Sequence, residues 1–193
     1  RCGERARIPR NAMIERLLAL DTAALDAIQG MRCAFLDAVM PFISKLGDGG
    51  AIWIALTLVL MLFRKTRRTG YMLALSLVLG LLIGNLTLKP LIARVRPYDA
   101  NPDFVLLIDR LSDYSFPSGH TLASFEAATV LLLQYRAKAV PALVLALLIA
   151  FSRLYLYVHY PSDVLAGALL GVAFACIARA AVRRMTARSR TEL

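Results

Sequence analysis

The chain has 193 residues, of which 59% are hydrophobic and only 19% charged, and its mean hydropathy is +0.62. Soluble domains contain about 45–50% apolar and about 25% charged residues, so this composition excludes an ordinary soluble globular domain. The net charge of +10 would suggest nucleic acid in a soluble protein, but here the basic residues flank apolar runs. The sequence therefore predicts an integral membrane protein with the lipid bilayer as partner and no nucleic-acid partner.

In the N-terminal part of the chain, residues 1–46, charged side chains interrupt the apolar stretches. Residues 1–10 are basic and are predicted to be loose. Residues 12–29 have apolar positions at helical spacing, interrupted by acidic side chains, which is typical of an amphipathic helix at the membrane interface. Residues 33–46 are apolar but short and contain Pro41. They predict a partial span.

The rest of the chain contains five hydrophobic segments of 14 to 22 residues, and a membrane-spanning helix needs roughly 20. They predict spanning helices at about residues 50–63, 69–88, 118–135, 139–158 and 161–182. With the N-terminal helix, they predict an all-α integral membrane bundle of five or six helices. We expect one domain over residues 1–193, with a catalytic core at 47–182 and a basic cytoplasmic tail at 183–193.

Polar connections set the predicted topology. The glycine-rich turn at residues 47–50 is interpreted as a connector. Basic clusters at 64–68, at 136–138 and from Arg179 onward fall on one side if the helices alternate, and the positive-inside rule makes that side cytoplasmic. The long polar segment 89–117 then lies on the opposite face. Both histidines of the chain lie at that face, which predicts an extracytoplasmic site in a bacterial inner membrane.

The first candidate cluster is the stretch "KPLIARVRP". Lys89 and Arg96 are separated by about two helical turns. If residues 90–96 are helical, the two cations share a face and could bind an anion, with Pro97 ending the segment. The alternative interpretation is that both side chains reach from a helix end to the membrane interface, as long basic side chains commonly do.

The second cluster is "PSGH", at the start of an apolar helix. Pro117 suits the first helical position. Ser118, Gly119 and His120 then occupy the first turn, where free backbone N–H groups can bind phosphate. Gly119 would allow close approach of the ligand, Ser118 would add a hydroxyl, and His120 could transfer a proton. The alternative is a helix cap with an incidental histidine.

The third cluster is "SRLYLYVHYPSD". Arg153 lies within an otherwise apolar helix, where a cation is costly unless it faces a partner or a cavity. Asp163 follows His159 by four residues and could orient its ring, as the carboxylate of a catalytic triad does. The alternative is that Asp163 only caps its helix. Together, the three clusters predict a site that processes an anion.

These residues resemble the three signatures of the type 2 phosphatidic acid phosphatase superfamily. The matching motifs are K-x6-R-P (89–97), P-S-G-H (117–120) and S-R-x5-H-x3-D (152–163), all in the expected order. The resemblance covers about residues 47–180. It implies a helical bundle that removes phosphate from lipid phosphates or diphosphates without a metal or other cofactor, in a superfamily that also contains soluble vanadium haloperoxidases.

The resemblance also implies roles for the site residues. His159 would attack phosphorus with help from Asp163, and His120 would protonate the leaving oxygen and then activate water. Phosphate would be bound by Lys89, Arg96, Ser118, Gly119 and Arg153. No metal ligand set is predicted, since these cations would neutralise the phosphate charge.

The substrate expected from this site is an amphiphilic lipid phosphate. Undecaprenyl diphosphate is the first choice, with phosphatidate, diacylglycerol diphosphate and phosphatidylglycerophosphate as alternatives. Two other functions stay open at this point. One is a non-catalytic carrier of lipid phosphates, which would need the cations but not the histidines, and the other is a haloperoxidase.

Overall fold

A computed structural model describes residues 10–191, with side chains from residue 15 to residue 186. Within these ranges the chain forms helices and connecting segments and no strand, which confirms the predicted all-α class. The helices are α1 (Arg10–Gln29), α2 (Ala34–Leu46), α3 (Ala51–Leu62), α4 (Arg67–Leu79), α5 (Lys89–Ile92), α6 (Pro97–Ala100), α7 (Gly119–Tyr135), α8 (Val140–Tyr155) and α9 (Pro161–Thr191). The predicted loose segment 1–10 lies, except for its last residue, outside the described residues.

The apolar helices match membrane dimensions. Three continuous segments in the described part are long and apolar enough to cross a membrane: Arg67–Ala100, Gly119–Tyr155 and Pro161–Thr186. A fourth comes from the pair Ala34–Leu46 and Asp48–Leu62, which is bent by 40°. The segment Gly119–Tyr155 contains both α7 and α8, which pack against each other across a tight turn. The number of crossings, five or six, stays a prediction.

The N-terminal helices are confirmed as helices. Leu25 and Asp21 of α1 are buried against α8 and α9, whereas Leu17 and Leu20 are exposed. One side of α1 therefore packs against the bundle and another side is exposed, whereas its amphipathic role at the membrane interface stays a prediction. In α2, Pro41 lies inside the helix, so the short apolar segment is helical throughout. Positions of both helices relative to a membrane stay predictions.

Close packing around α7 organises the bundle. This helix contacts α3, α4, α8 and α9. In α9, Gly167 and Gly171 face α7 so closely that a Cβ on either would lie 2.7 Å from a backbone carbonyl oxygen, of Ser118 and Leu122 respectively. A small-xxx-small pair of this kind lets two helices approach without side chains between them. The ends of α7 and α9 that carry the candidate site are thereby fixed relative to each other.

A π-helical segment, Gly80–Leu88, continues α4 toward the candidate site. Its first residue, Gly80, packs against the buried carboxyl of Glu126 on α7, which also accepts a hydrogen bond from Ser76 at 3.2 Å. Wider helical turns of this type are rare and often occur at functional sites. The segment carries the chain directly to Lys89.

Three helix boundaries differ from the predictions. The α8 helix ends at Tyr155 instead of near residue 158, because Tyr157 adopts a left-handed φ of 60°. The α9 helix continues to Thr191 instead of ending near residue 182. The chain after Lys89 is helical only to Ile92. Each difference lies at a helix end, where local apolar spacing carries the least information.

Replacing Gly171 with alanine should lower the free energy of unfolding by about 1–3 kcal/mol, the usual cost of overpacking. The added Cβ would lie 2.7 Å from the Leu122 carbonyl oxygen and 3.0 Å from the Glu126 backbone nitrogen, neither of which can move without shifting α7. Thermal unfolding in detergent, followed through Trp53, measures the change. Leu169→Ala, on the exposed side of α9, is the control. Equal stability of Gly171→Ala and wild type would contradict this packing.

Candidate active site

Five of the eight predicted site residues line one cavity of about 520 Å³. They are Lys89, Arg96, Gly119, His120 and Arg153. The other three, Ser118, His159 and Asp163, are buried behind its wall. The structure thus brings together residues from α5, α7, α8 and α9 and from the connections that precede α6, α7 and α9, which are separated by up to 74 residues in the chain.

The first cluster is assembled by Asp113, a carboxylate of the polar segment 89–117 to which the sequence motifs give no role. Asp113 binds Lys89 Nζ at 2.5 Å and Arg96 Nη2 at 2.5 Å. Burial opposes ionisation of Asp113, but the hydrogen bond and charge of Lys89, together with Arg96, outweigh it and lower the pKa to about 2. The carboxylate therefore stays charged and occupies the two cations that an incoming anion would use.

The helical relation predicted between Lys89 and Arg96 is wrong. Ala93 adopts a left-handed φ of 48°, which ends α5 after one turn, and Arg96 precedes α6 with extended backbone. Pro97 begins that short helix and does not end a longer one. The two cations nevertheless converge, because the chain folds back and Arg96 is held by the carbonyl oxygens of Asp113 and Val158 at 2.8 and 2.6 Å.

Among the three predicted phosphate-binding cations, Arg153 is the one with nitrogens that lack any hydrogen-bond partner in the described part of the chain. It is 1% exposed, and Nη1 donates to Ser44. Its Nε and Nη2 atoms have no hydrogen-bond partner within the described residues. A buried guanidinium with unmet donors is costly, and these atoms belong to a residue that lines the cavity. A phosphate bound there would satisfy both nitrogens, since guanidinium geometry suits two oxygens at once.

The helix that carries the second cluster begins at Gly119, two residues later than the predicted start at Pro117. Pro117 precedes the helix, Ser118 is the N-cap with extended backbone, and Gly119 and His120 form the first turn of α7. A Cβ on Gly119 would lie 2.7 Å from Asn85 Oδ1 of the π segment. Glycine therefore allows the Asn85 side chain to lie against the first turn of α7, and the backbone of Gly119 borders the cavity.

His120 has a carboxylate partner that the sequence interpretation missed. Its Nε2 lies 2.8 Å from Asp48 Oδ1, in the turn that was read as a connector. Gly49 and Gly50 in this turn have φ values of 57° and 70°, which other residues rarely adopt. The turn places Asp48 beside His120, and this contact leaves Nδ1 of the ring for a second partner.

The third cluster contains one more side chain than the sequence motif names, the hydroxyl of Ser115. Asp163 Oδ2 is 3.8 Å from His159 Nδ1, too long for a hydrogen bond. The Ser115 hydroxyl lies beside both, 2.5 Å from Asp163 Oδ2 and 3.5 Å from His159 Nδ1. Asp163 also accepts the Tyr160 backbone N–H at 2.9 Å. It therefore caps α9 and faces His159 at the same time, so the two interpretations of this aspartate are compatible.

The His159 ring is buried and neutral at ordinary pH. Burial lowers its pKa to about 3, and the charges of Arg153 and Arg96 act in the same direction against Asp163. Its Nδ1 faces Ser115 and Asp163, whereas Nε2 lies 3.4 Å from Arg96 Nη1. A neutral ring with one nitrogen directed toward the cations is suited to nucleophilic attack on a bound phosphate.

Most of the remaining wall of the cavity is apolar, although Thr57, Asn85, Asp113 and Glu126 also line it. It extends from the cations between α3, α4 and α7, and its apolar lining includes Ile54, Leu58, Met61, Leu77 and Leu81. A ligand with a charged end and a hydrocarbon end would fit this division.

Replacing Asp113 with asparagine should tighten binding of inorganic phosphate by about tenfold. The neutral amide competes less well than a carboxylate for Lys89 and Arg96, and each factor of ten corresponds to about 1.4 kcal/mol. Isothermal titration with phosphate at fixed ionic strength measures the change. Asp99→Asn removes the same charge from an exposed pair with Arg110 and should leave phosphate affinity unchanged. Weaker binding in Asp113→Asn would contradict the competition.

Comparisons with known proteins agree with this site. The family model of the PAP2 superfamily matches residues 69–187. An undecaprenyl-diphosphatase from Sulfolobus acidocaldarius is 36% identical over 159 residues, which cover 81% of this chain and 76% of that protein. A lipid A 4'-phosphatase from Bacteroides thetaiotaomicron is 31% identical over 173 residues, covering 82% and 75%.

The fold is also similar to a solved structure. The crystal structure of Aquifex aeolicus LpxE superimposes with a TM-score of 0.74 at 31% identity, covering 82% of this chain and 94% of that one. The family match includes all three sequence motifs. With its long apolar helices, the chain is therefore an integral membrane protein that belongs to the PAP2 superfamily.

Proposed function

We propose that the chain is a membrane phosphatase that hydrolyses a lipid phosphate or diphosphate through a phosphohistidine intermediate. The observation that carries this proposal is the cavity, which has apolar side chains at one end and Arg153 at the other, with guanidinium atoms Nε and Nη2 that have no partner within the described residues. The Arg153 end fits a phosphate and the apolar end a hydrocarbon chain. The relatives named as phosphatases of lipid substrates support the same class.

The first half-reaction transfers phosphate to the enzyme. His159 Nε2 attacks phosphorus, a P–N bond forms, and the bond from phosphorus to the lipid oxygen breaks. His120 gives its proton to that oxygen, so the lipid leaves uncharged at this atom. Asp163 stabilises the positive imidazole that forms on His159. Asp48 holds the His120 ring at 2.8 Å.

The second half-reaction returns the enzyme to its starting state. His120, now neutral, takes a proton from water as the water oxygen attacks phosphorus. The P–N bond to His159 breaks and inorganic phosphate leaves. The charge of phosphate is neutralised in both steps by Lys89, Arg96 and Arg153, with further donors from Ser118 and the Gly119 backbone. These cations act in place of a metal ion.

Undecaprenyl diphosphate is the substrate that we favour. The apolar side chains of the cavity suit the hydrocarbon next to the charged end of a lipid, and the relative from Sulfolobus acidocaldarius is named for this activity. Phosphatidate, diacylglycerol diphosphate and phosphatidylglycerophosphate share the same chemistry and form the comparison set. A non-catalytic carrier is disfavoured because it would not need two histidines that each lie close to a carboxylate.

The proposed location is the inner membrane of a bacterium, with the site on the extracytoplasmic face. Basic residues at 64–68, at 136–138 and at the end of α9 lie on the other side of the predicted topology. The positive-inside rule supports a cytoplasmic position for those residues.

The purified protein should release phosphate from lipid phosphates in detergent, at the same rate with and without a chelator. His159→Ala should release none and should accept no label from any substrate. His120→Ala should stall with lipid substrates but should still transfer labelled phosphate from an activated aryl phosphate to His159, because that leaving group needs no proton. Phosphate release and acid-labile, base-stable labelling are the measurements.

Arg110→Ala is the matched control for these experiments, since it removes an exposed cation that pairs with Asp99 outside the cavity. It should keep wild-type turnover, whereas Arg153→Ala should lose about 3 kcal/mol of transition-state stabilisation. Binding of lipid phosphates without any phosphate release would support a carrier and reject the phosphatase. Label on another residue would reject His159 as nucleophile.

Single cysteines should report the orientation in intact cells. In a background without native cysteines, Asp103→Cys should react with an impermeant thiol reagent, because the segment 89–117 is expected outside. Lys65→Cys, in the basic connection before α4, should react only after the membrane is made permeable. Both wild-type positions are exposed, so accessibility within the fold is matched. The reverse pattern would overturn the proposed orientation.

A further inference from the structure

Behind the candidate nucleophile, every oxygen of Asp163 has a partner. Oδ2 accepts hydrogen bonds from Ser115 Oγ at 2.5 Å and from the Tyr160 backbone N–H at 2.9 Å. Oδ1 accepts one from Arg94 Nη1 at 2.5 Å. The direction in which this carboxylate faces His159 is therefore fixed by three other groups. Arg94 is the one of these three that carries a charge.

Arg94 bridges two buried carboxylates. Its Nη1 binds Asp163, and its Nη2 binds Asp21 Oδ2 at 2.7 Å. The guanidinium also lies 4.0 Å from the centre of the Tyr160 ring. A planar fork is needed for this arrangement, because two nitrogens point to two separate partners. A lysine has a single nitrogen and could not reproduce it.

Asp21 belongs to α1, outside the residues matched by the family model. It is 5% exposed as a side chain, and it accepts the Ser162 backbone N–H at 2.9 Å and the Ser162 hydroxyl at 2.5 Å. One carboxylate therefore holds both Arg94 and the first turn of α9. That turn carries Asp163.

We propose that Asp21 and Arg94 are positioning residues for the nucleophile, which act through Asp163. The inference rests on the proposed phosphatase function of this site. Arg94 fixes the carboxylate opposite His159, and Asp21 fixes Arg94. An N-terminal helix that the sequence places outside the catalytic core thereby completes the active site.

The experiment uses the full-length protein and an activated aryl phosphate. We expect Asp21→Asn to lower kcat by about tenfold, within the range for coupled neighbouring residues. Arg94→Ala should lower it by about 100-fold, the effect of a small misplacement of reacting groups, and Arg94→Lys should recover only part of that loss. The inhibition constant of inorganic phosphate should stay unchanged in all three, because none of these residues lines the cavity.

A double-variant experiment distinguishes a positioning role that acts through Asp163 from a general effect on the stability of the fold. In an Asp163→Asn background, Asp21→Asn should cause less than about a twofold further loss of labelling rate at His159, since the group through which it acts is already neutral. Asp37→Asn is the matched control, because Asp37 also joins an N-terminal helix to another helix, through Arg32 and Tyr155. It should keep wild-type kcat.

Wild-type kcat in both Asp21→Asn and Arg94→Ala would overturn the inference and leave the phosphatase intact. A full additive loss in the Asp163→Asn background, or an equal loss in Asp37→Asn, would reduce Asp21 to a structural anchor and also overturn it. A wild-type protein that releases no phosphate from any lipid or aryl phosphate would overturn the proposed function and the inference together.

Discussion

Buried positive charge is the constraint on which the rest of this structure depends. Arg96 and Arg153 are 2% and 1% exposed in a bundle whose helices are mostly apolar. Such groups are stable at this depth only if carbonyl oxygens, carboxylates or a bound anion surround them. Arg96 is surrounded by carbonyl oxygens and Asp113, whereas Arg153 keeps two nitrogens without partners in the part of the chain that the structure describes. The difference explains why Arg153 is the cation best prepared for an incoming phosphate.

Helix packing by glycine makes this arrangement rigid. Gly167 and Gly171 bring α9 against the backbone of α7, next to Ser118 and Leu122. In a bilayer, close packing replaces the hydrophobic effect as the force between helices. The two helix ends that carry the candidate histidines are consequently held by backbone contacts, which tolerate little movement. Precise placement of reacting groups is worth several orders of magnitude in rate.

Each histidine lies near a carboxylate, but the two environments differ. His159 and Asp163 are fully buried; Ser115 contacts both of them, and Arg94 holds Asp163. Asp48 beside His120 is largely exposed. A buried neutral ring suits a nucleophile, because its lone pair is not protonated. A ring whose partner contacts water suits repeated exchange of protons. The division of roles proposed for the two histidines follows from this contrast.

The amino-acid sequence determined the class of protein and the chemistry of its site. Apolar segments of suitable length predict the all-α bundle, because helix formation and burial depend on local periodicity. The three motifs name five residues that line the cavity and three that lie behind it. The roles of these residues and the number of membrane crossings stay predictions.

Only the tertiary structure decided which side chains meet. Asp48 contacts His120 across 72 positions and Asp21 contacts Ser162 across 141 positions, and local spacing contains no information on such distances. The turn at Asp48 was predicted to be only a connector, because glycines are typical of any chain reversal, whether or not it contributes a functional side chain. Lys89 and Arg96 were expected to meet on one helix, but Ala93 ends it, and Asp113 joins them instead. Local apolar patterns determine where each helix forms, whereas packing between the helices determines which side chains meet at the site.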